Sequence, residues 1–265
     1  MTATTTKTDP RFERALAFER AMHAAVGRVV TAEWGQAFLH PEIGRCHEEN
    51  VLWGIGDAGG LGTTALAAHA DRLLGGAGVA HRRILLEGAT ADARRDELVA
   101  LGYDAARHVY LAHEGEAPAA PAVEVREVAI DALLRAEDRY LASDPDTPYG
   151  RDDEVRAHLL EHHRRYGSAG ADERILAVTD GDDVVAWAKL WTAGDAAQVE
   201  DVVCLAEYRG NGYGRAVTAA ATRAALAADP ALLFIVADAD DWPKQLYERL
   251  GYRPIGHVGV FTKPG

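Results

Sequence analysis

Val202-Val203-Cys204-Leu205-Ala206-Glu207-Tyr208-Arg209-Gly210-Asn211-Gly212-Tyr213-Gly214-Arg215 carries the clearest signal in this chain. A run of strand formers ends, three alternating glycines follow, and a helix-compatible stretch begins. Glycine tolerates positive φ and lets a ligand come close to the backbone. Successive N–H groups and a helix N-terminus then point at an anion, while Arg209 and Arg215 add charge-assisted donors. A bare Gly-x-Gly-x-Gly fits several phosphate sites. A Rossmann site needs its glycines after the first strand of a βαβ unit, with an acid about 20 residues on. Here the preceding strand is the third of a run joined by short turns, and no Gly-Lys-Ser/Thr follows to make a Walker loop.

Outward from this turn, the pattern predicts strands at 174–179, 184–192 and 198–205, with Gly181-Asp182-Asp183 turning between the first two. A helix is expected over 214–228, with Val217, Ala220, Ala221, Ala224 and Ala228 on one face. Residues 232–237 are apolar throughout, as in a covered strand. A helix at 242–250 is stopped by Gly251, and strands near 252–255 and 257–262 close the chain. Upstream, 123–128 alternates as a strand, 131–142 and 152–166 read as helices, and 144–150 as a loop.

Arg209-Gly210-Asn211-Gly212-Tyr213-Gly214 resembles the Arg/Gln-x-x-Gly-x-Gly/Ala signature of the GNAT acetyltransferases. Asp240-Asp241-Trp242 with Leu246-Tyr247-Glu248-Arg249-Leu250-Gly251-Tyr252 is similar to that family's second signature, about 30 residues later. Asp240 stands where Asn is usual. The resemblance covers 123–263. It implies acetyl-CoA as co-substrate, with the pyrophosphate on Arg209, Gly210, Asn211, Gly212, Tyr213, Gly214 and Arg215. It also implies two splayed strands at the CoA site, with pantetheine paired to the backbone of Val202, Val203, Cys204 and Leu205. Asp240 belongs to the same cofactor contacts, and Tyr247 stands where such enzymes protonate the leaving thiolate. A phenol near its ordinary pKa of about 10 suits that role. Some members place a general-base glutamate four residues before the position of Cys204, which makes Glu200 the preferred base and Asp201 the second candidate. In a regular strand Glu200, Val202 and Cys204 share one face and Asp201 points the other way. Cys204 itself reads as a small hydrophobe.

The first half carries a shorter version of the same pattern. A helix is expected at 12–26, strands at 28–34, 36–39, 50–55 and 84–87, a helix opened by Gly59-Gly60-Leu61-Gly62 and running to 74, and another at 92–101. Leu101-Gly102-Tyr103 matches Leu250-Gly251-Tyr252 at an offset of 149 residues, and His108-Val109 matches His257-Val258 at the same offset. This reads as a tandem repeat of one fold. The proline-containing segment 115–122 is a spacer between a degenerate GNAT-like domain at 8–114 and a catalytic domain at 123–265. Leu98 stands where Tyr247 would be, no arginine precedes Gly60-Leu61-Gly62, and Asp57 would put negative charge near a pyrophosphate. The expectation is a first half that does not bind CoA, in a pattern resembling tandem GNAT proteins of high-GC actinobacteria. The fold class is α/β (α+β): tandem GNAT-like folds, each a mixed, mostly antiparallel sheet flanked by helices.

Composition bounds the partners. A formal net charge of −13 argues against nucleic acid, which needs a basic face, and favours a cationic amine. The two cysteines, Cys46 and Cys204, form no disulfide framework. The threonine-rich start at 1–8 lacks a signal peptide's apolar core, and no apolar run reaches the length of a membrane span. The expectation is a cytoplasmic monomer or homodimer that acetylates a small-molecule primary amine without a metal. Alternatives are a non-catalytic CoA-binding or regulatory module, another acyl donor, an oxygen acceptor, or a protein amine. His158, His162 and His163 do not read as a metal site, because adjacent helical residues point about 100° apart; they suggest an interfacial or substrate-lining helix. Cys46-His47-Glu48-Glu49 reads as a strand edge. Trp187 and Trp191 face one side of their strand and either pack the core or line the acceptor pocket.

Overall fold

The computed structural model describes residues 9–265; the start at 1–8, read above as no signal peptide, lies outside the described residues. Helix α1 (Pro10–Val26) opens with the Asp9 side chain accepting from the Arg11 N–H and with proline at its first position, where a missing N–H costs nothing. Then come β1 (Arg28–Ala32), β2 (Gly35–Leu39), β3 (Val51–Gly54), α2 (Thr63–Ala70), β4 (His81–Glu87), α3 (Gly88–Ala100) and β5 (Asp104–His113). The chain continues through β6 (Arg126–Glu127), α4 (Ile130–Ala142), the single turn α5 (Pro148–Arg151), α6 (Asp153–Ala169), β7 (Asp172–Asp180), β8 (Asp183–Ala193) and β9 (Ala196–Cys204). It ends with α7 (Tyr213–Leu226), β10 (Leu232–Asp238), α8 (Pro243–Arg249) and β11 (Tyr252–Pro264).

All eleven strands join one open sheet in the order β1-β2-β3-β4-β11-β5-β10-β9-β8-β7-β6. Only β3–β4 and β9–β10 pair in parallel, so the sheet is mixed and mostly antiparallel, flanked by helices. The last strands of the two halves are exchanged. Strand β5 lies between β11 and β10, and β11 lies between β4 and β5. Each half thus completes the sheet of the other. Strand β5 is not picked out by the sequence pattern, because alanines at 105, 106 and 112 and the Arg107-His108 pair blur its alternation. Its fixed neighbours come instead from residues 122 (Phe234 with Ala112) to 158 (Thr262 with Asp104) positions away in the chain.

Several expectations shift in detail. The two closing strands are one, β11, broken only by a bulge between Pro254 and Gly256. Gly256 is needed there, since a Cβ would sit 2.4 Å from the Phe12 ring of α1. The strand expected at 123–128 contributes only two residues to the ladder, and the 144–150 loop ends in α5. Helix α2 starts at Thr63, later than the expected 59, because Ala58, Gly59 and Gly60 all have positive φ. The segment 46–49 is a turn, not a strand edge; it is held by Asn50 Nδ2, which donates to the carbonyls of His40, Ile43 and Cys46 at 3.2 Å each. The buried face of α7 runs through Val217, Thr218, Ala221, Thr222 and Ala225, not through Ala220, Ala224 and Ala228. Two threonines can be buried because each hydroxyl bonds the carbonyl four residues back, at Gly214 and Thr218.

The core forms on both faces of the sheet. Helices α7 and α8 cover one face around Val199, Leu233 and Ile235. On the other, α1 packs over Phe38, Phe234 and Trp191, and α4 over Trp187 and Ile175.

Candidate active site

The site begins where two parallel strands part. β9 and β10 pair only through Ala196–Val199 and Leu232–Ile235; beyond that, β9 runs on to Cys204 with its other edge still paired to β8. A bulge sits at this fork. Lys189 pairs with Glu200 but Trp187 pairs with Val203, so two residues oppose Ala188. Asp201 takes φ +48, an uncommon conformation for an aspartate in a strand. The bulge resets the alternation. Val202 and Cys204 pack on the α7 side and Val203 on the α4 side. Glu200 and Asp201 line one cavity. The expected arrangement, with Glu200, Val202 and Cys204 on one face and Asp201 on the other, is therefore corrected: the extra residue brings both carboxylates to the same side.

Two networks distinguish the neighbouring acids. Lys189, fully buried, places Nζ 2.9 Å from Asp201 Oδ2 and 2.7 Å from His163 Nδ1. His163 Nε2 lies 3.3 Å from Glu137. Burial alone would raise Asp201, but the Lys189 ammonium and His163 hold it well below the usual carboxylate range. Glu200 goes the other way: burial, then the charges of Asp201 and Glu19, push it up to about 8. Gln198 Nε2 donates to Glu200 Oε2 at 2.7 Å and to Glu19 Oε1 at 3.1 Å. The Tyr110 hydroxyl donates to Glu19 Oε2, and burial raises Glu19 to about 7. Glu19 comes from α1 and Tyr110 from β5, so the first half reaches the fork directly.

The cavity at the fork has a volume of about 230 Å³ and is walled by both halves, with α1, β3, β4 and β5 facing β9 and β10. The two tryptophans of β8 divide the roles left open by the sequence. Trp187 is core beneath α4, and Trp191 lines the cavity. His162 also lines it and meets Glu49, while its neighbour His163 turns to Lys189. Among the described residues no group of three His, Cys, Asp or Glu side chains is placed to hold a metal.

After Cys204 a single turn, Ala206–Tyr208, leads into the glycine loop. Gly210 has φ +82, and Gly212, at φ +77, caps α7 in the left-handed region. A Cβ added at Gly210, Gly212 or Gly214 would meet nothing within 4 Å, so the backbone there is open to a ligand as a pyrophosphate cradle requires. Arg209 Nε donates to the Cys204 carbonyl at 3.2 Å, and Asn211 Nδ2 to that of Tyr208 at 3.1 Å. Arg209, Asn211 and Arg215 are exposed, and Tyr213 half-buried, around the N-terminus of α7, while Leu205 is buried behind them. A second cavity, about 150 Å³, lies between this loop and residues 119–123 of the spacer. Asp240 is exposed after β10, its N–H bonded to Asp238. Tyr247 on α8 is buried edge-on to Tyr252, with ring centroids 6.4 Å apart; the Tyr252 hydroxyl is fixed by Thr222 at 2.8 Å. Burial and the Glu200 charge raise Tyr247 above the ordinary phenol value on which the expectation rested, so that expectation is corrected: the phenol keeps its proton and gives it up less readily.

The counterpart in the first half is closed. β3 and β4 stay paired to Gly54 and Leu86, where β3 ends, and a Cβ on Gly54 would sit 2.6 Å from Leu86. Arg94 donates to the loop carbonyls of Leu61 and Asp57. Leu98 is fully buried. Sequence reading does not single out Glu19, Gln198, Tyr110, Lys189 or Glu137. Only Lys189 leaves a trace, as a lone charge inside the apolar run from Val184 to Trp191.

An open glycine loop on a helix N-terminus beside a strand fork that carries buried acids fits an acyltransferase. Residues 171–254, about a third of the chain, match the family model of the acetyltransferase (GNAT) domain. Solved structures share the whole fold. A functionally unknown conserved protein from Staphylococcus epidermidis ATCC 12228 superposes with a TM-score of 0.68 at 16% identity, over 90% of this chain and 94% of its own. A GCN5-related N-acetyltransferase from Kribbella flavida gives 0.64 at 20% identity over 95% of each chain. Another from Sphaerobacter thermophilus gives 0.53 at 14%, over 89% of this chain and 75% of its own. At these identities the likeness is one of fold. No curated protein matches the sequence.

Proposed function

We propose that the chain is a cytoplasmic enzyme that transfers the acetyl group of acetyl-CoA to a primary amine of a small molecule, at the fork between β9 and β10. The observation that carries this reading is the position of Glu200: a raised carboxylate on the cavity wall, at the point where β9 loses its partner and heads for the open glycine loop. Arg209 to Gly214 would hold the pyrophosphate, and the free edge of Val202 to Leu205 would pair with pantetheine. Glu200 takes the proton from the acceptor ammonium, directly or through a water. The amine nitrogen then bonds the acetyl carbon, the carbon–sulfur bond breaks, and Tyr247 gives its proton to the departing thiolate. A backbone N–H of Val202 to Cys204 would stabilise charge on the carbonyl oxygen. Asp201, held ionised by Lys189, raises the basicity of Glu200 and is no better than a second choice as base. Supporting a small acceptor is the volume of the cavity, about 230 Å³, between the halves. The closed β3–β4 pair and the Arg94 contacts support a first half that binds no CoA and serves as acceptor wall.

The test is release of CoA thiol from acetyl-CoA across a panel of primary amines. Amine-dependent release is expected, and Glu200→Gln should lower kcat by about 10²–10⁴ with the affinity for acetyl-CoA little changed. Binding of acetyl-CoA with no thiol release above the uncatalysed background, whatever the amine, would put the non-catalytic CoA-binding reading in its place.

A further inference from the structure

Acids around the cavity outnumber the cations paired with them. Asp201 is balanced by Lys189, and Glu48 meets Arg83 at 3.3 Å. Glu19, Glu200 and Asp238 line the same space and form no salt bridge among the described residues. Burial holds His23 and His108 down, which leaves them neutral. A second observation points to a donor-rich ligand. Gln198 is 2% exposed and lines the cavity, and its Oε1 has no hydrogen-bond partner among the described residues, while its Nε2 is used by Glu19 and Glu200. An unused buried acceptor costs stability unless something donates to it.

The acids fall in two places. Glu19 and Glu200 are joined through Gln198, and Tyr110, which bonds Glu19, sits opposite Val236 in the β5–β10 ladder. Asp238 sits opposite His108, two positions further along the same ladder, a step on the order of 6–7 Å in a strand. Apolar side chains, among them Met22, Leu85 and Val258, wall the same cavity. We infer that the acceptor is a short aliphatic diamine, with one nitrogen among Glu19, Gln198 and Glu200 and the other held as an ammonium by Asp238. This rests on the acetyl-transfer reading above and narrows its substrate. The nitrogen near Glu200 loses a proton to that carboxylate and gains the acetyl carbon; the thiolate leaves and is protonated from Tyr247; the far nitrogen stays charged throughout.

The experiment compares 1,4-diaminobutane with butylamine and 4-aminobutanoate, as acceptors with acetyl-CoA and as ligands of the full chain alone by calorimetry. The diamine should exceed both in kcat/KM by about tenfold, the order of discrimination that one charge-assisted contact supplies. In Asp238→Asn that preference should collapse to within about threefold, mainly through KM. Asp238 is exposed, so the variant is expected to fold, which its thermal transition verifies. Equal use of butylamine would overturn the inference, and so would preference for 4-aminobutanoate, which would put a carboxylate on Arg83. Binding without acetyl-CoA separates the two readings. Diamine binding that weakens in Asp238→Asn supports this inference even where transfer fails. Absence of diamine binding in a protein that acetylates other amines defeats it alone.

Discussion

Glu200 carries opposing demands at the scale of one residue. As a base it must be ionised, so the rate should rise with pH through about 8, the value to which its burial and the neighbouring charges of Asp201 and Glu19 push it. The same shift works against stability. In the unfolded chain the carboxyl titrates near its ordinary 4.5, while the folded state keeps the proton to a higher pH. Between the two values the folded state binds more protons, so its advantage is complete below the ordinary value and is lost as pH rises through the folded one. Glu200→Gln should therefore melt above the parent by a margin that grows from pH 5 to pH 8.5. Thermal melts across that range measure it, and a margin that stays flat would mean the carboxyl is not held protonated by the fold. The resemblance to the family's two signatures pointed to Glu200 and Tyr247 in the sequence. It could not find Glu19, Gln198 or Tyr110, because their hydrogen bonds join segments far apart in the chain. Nor could it see that Asp201 shares the Glu200 side, since a bulge leaves no mark in an alternating pattern.

At the scale of elements, two devices shape the site: the fork and the cap of α7. The cap was readable as a strand, a glycine turn and a helix, because each step has a local cause; the fork was only what the family resemblance implied. The left-handed cap at Gly212 is one that only glycine adopts without strain. Gly212→Ala meets no steric neighbour within 4 Å, so its cost is conformational, about 1–2 kcal/mol. It should lower the melting temperature modestly and weaken acetyl-CoA binding about tenfold or more by turning N–H groups away from the phosphates. Calorimetry with acetyl-CoA reads the second effect; unchanged affinity would remove this loop from the cofactor site. The length of the fork was not legible, because where β9 leaves β10 is set by the bulge and by β10's other partner, β5.

For the whole molecule, the 149-residue offset pointed to a repeat; the structure shows β5 and β11 set side by side between β10 and β4 in one sheet, which no local pattern could foretell. Pairing partners so far apart in sequence are chosen by the assembled sheet, not by local pattern. The exchange puts Tyr110 and His108 of β5 against β10, and α1 across the fork, so on the proposed reading the first half would build the acceptor wall while its own strand pair stays closed. That division of labour is the central claim. It is tested most directly by calorimetric titration of the full chain with acetyl-CoA. The account predicts saturation at one equivalent, abolished in Arg209→Glu and retained in Arg94→Ala. Two equivalents would mean the first half also binds the cofactor, and no binding at millimolar acetyl-CoA would contradict the cofactor site itself.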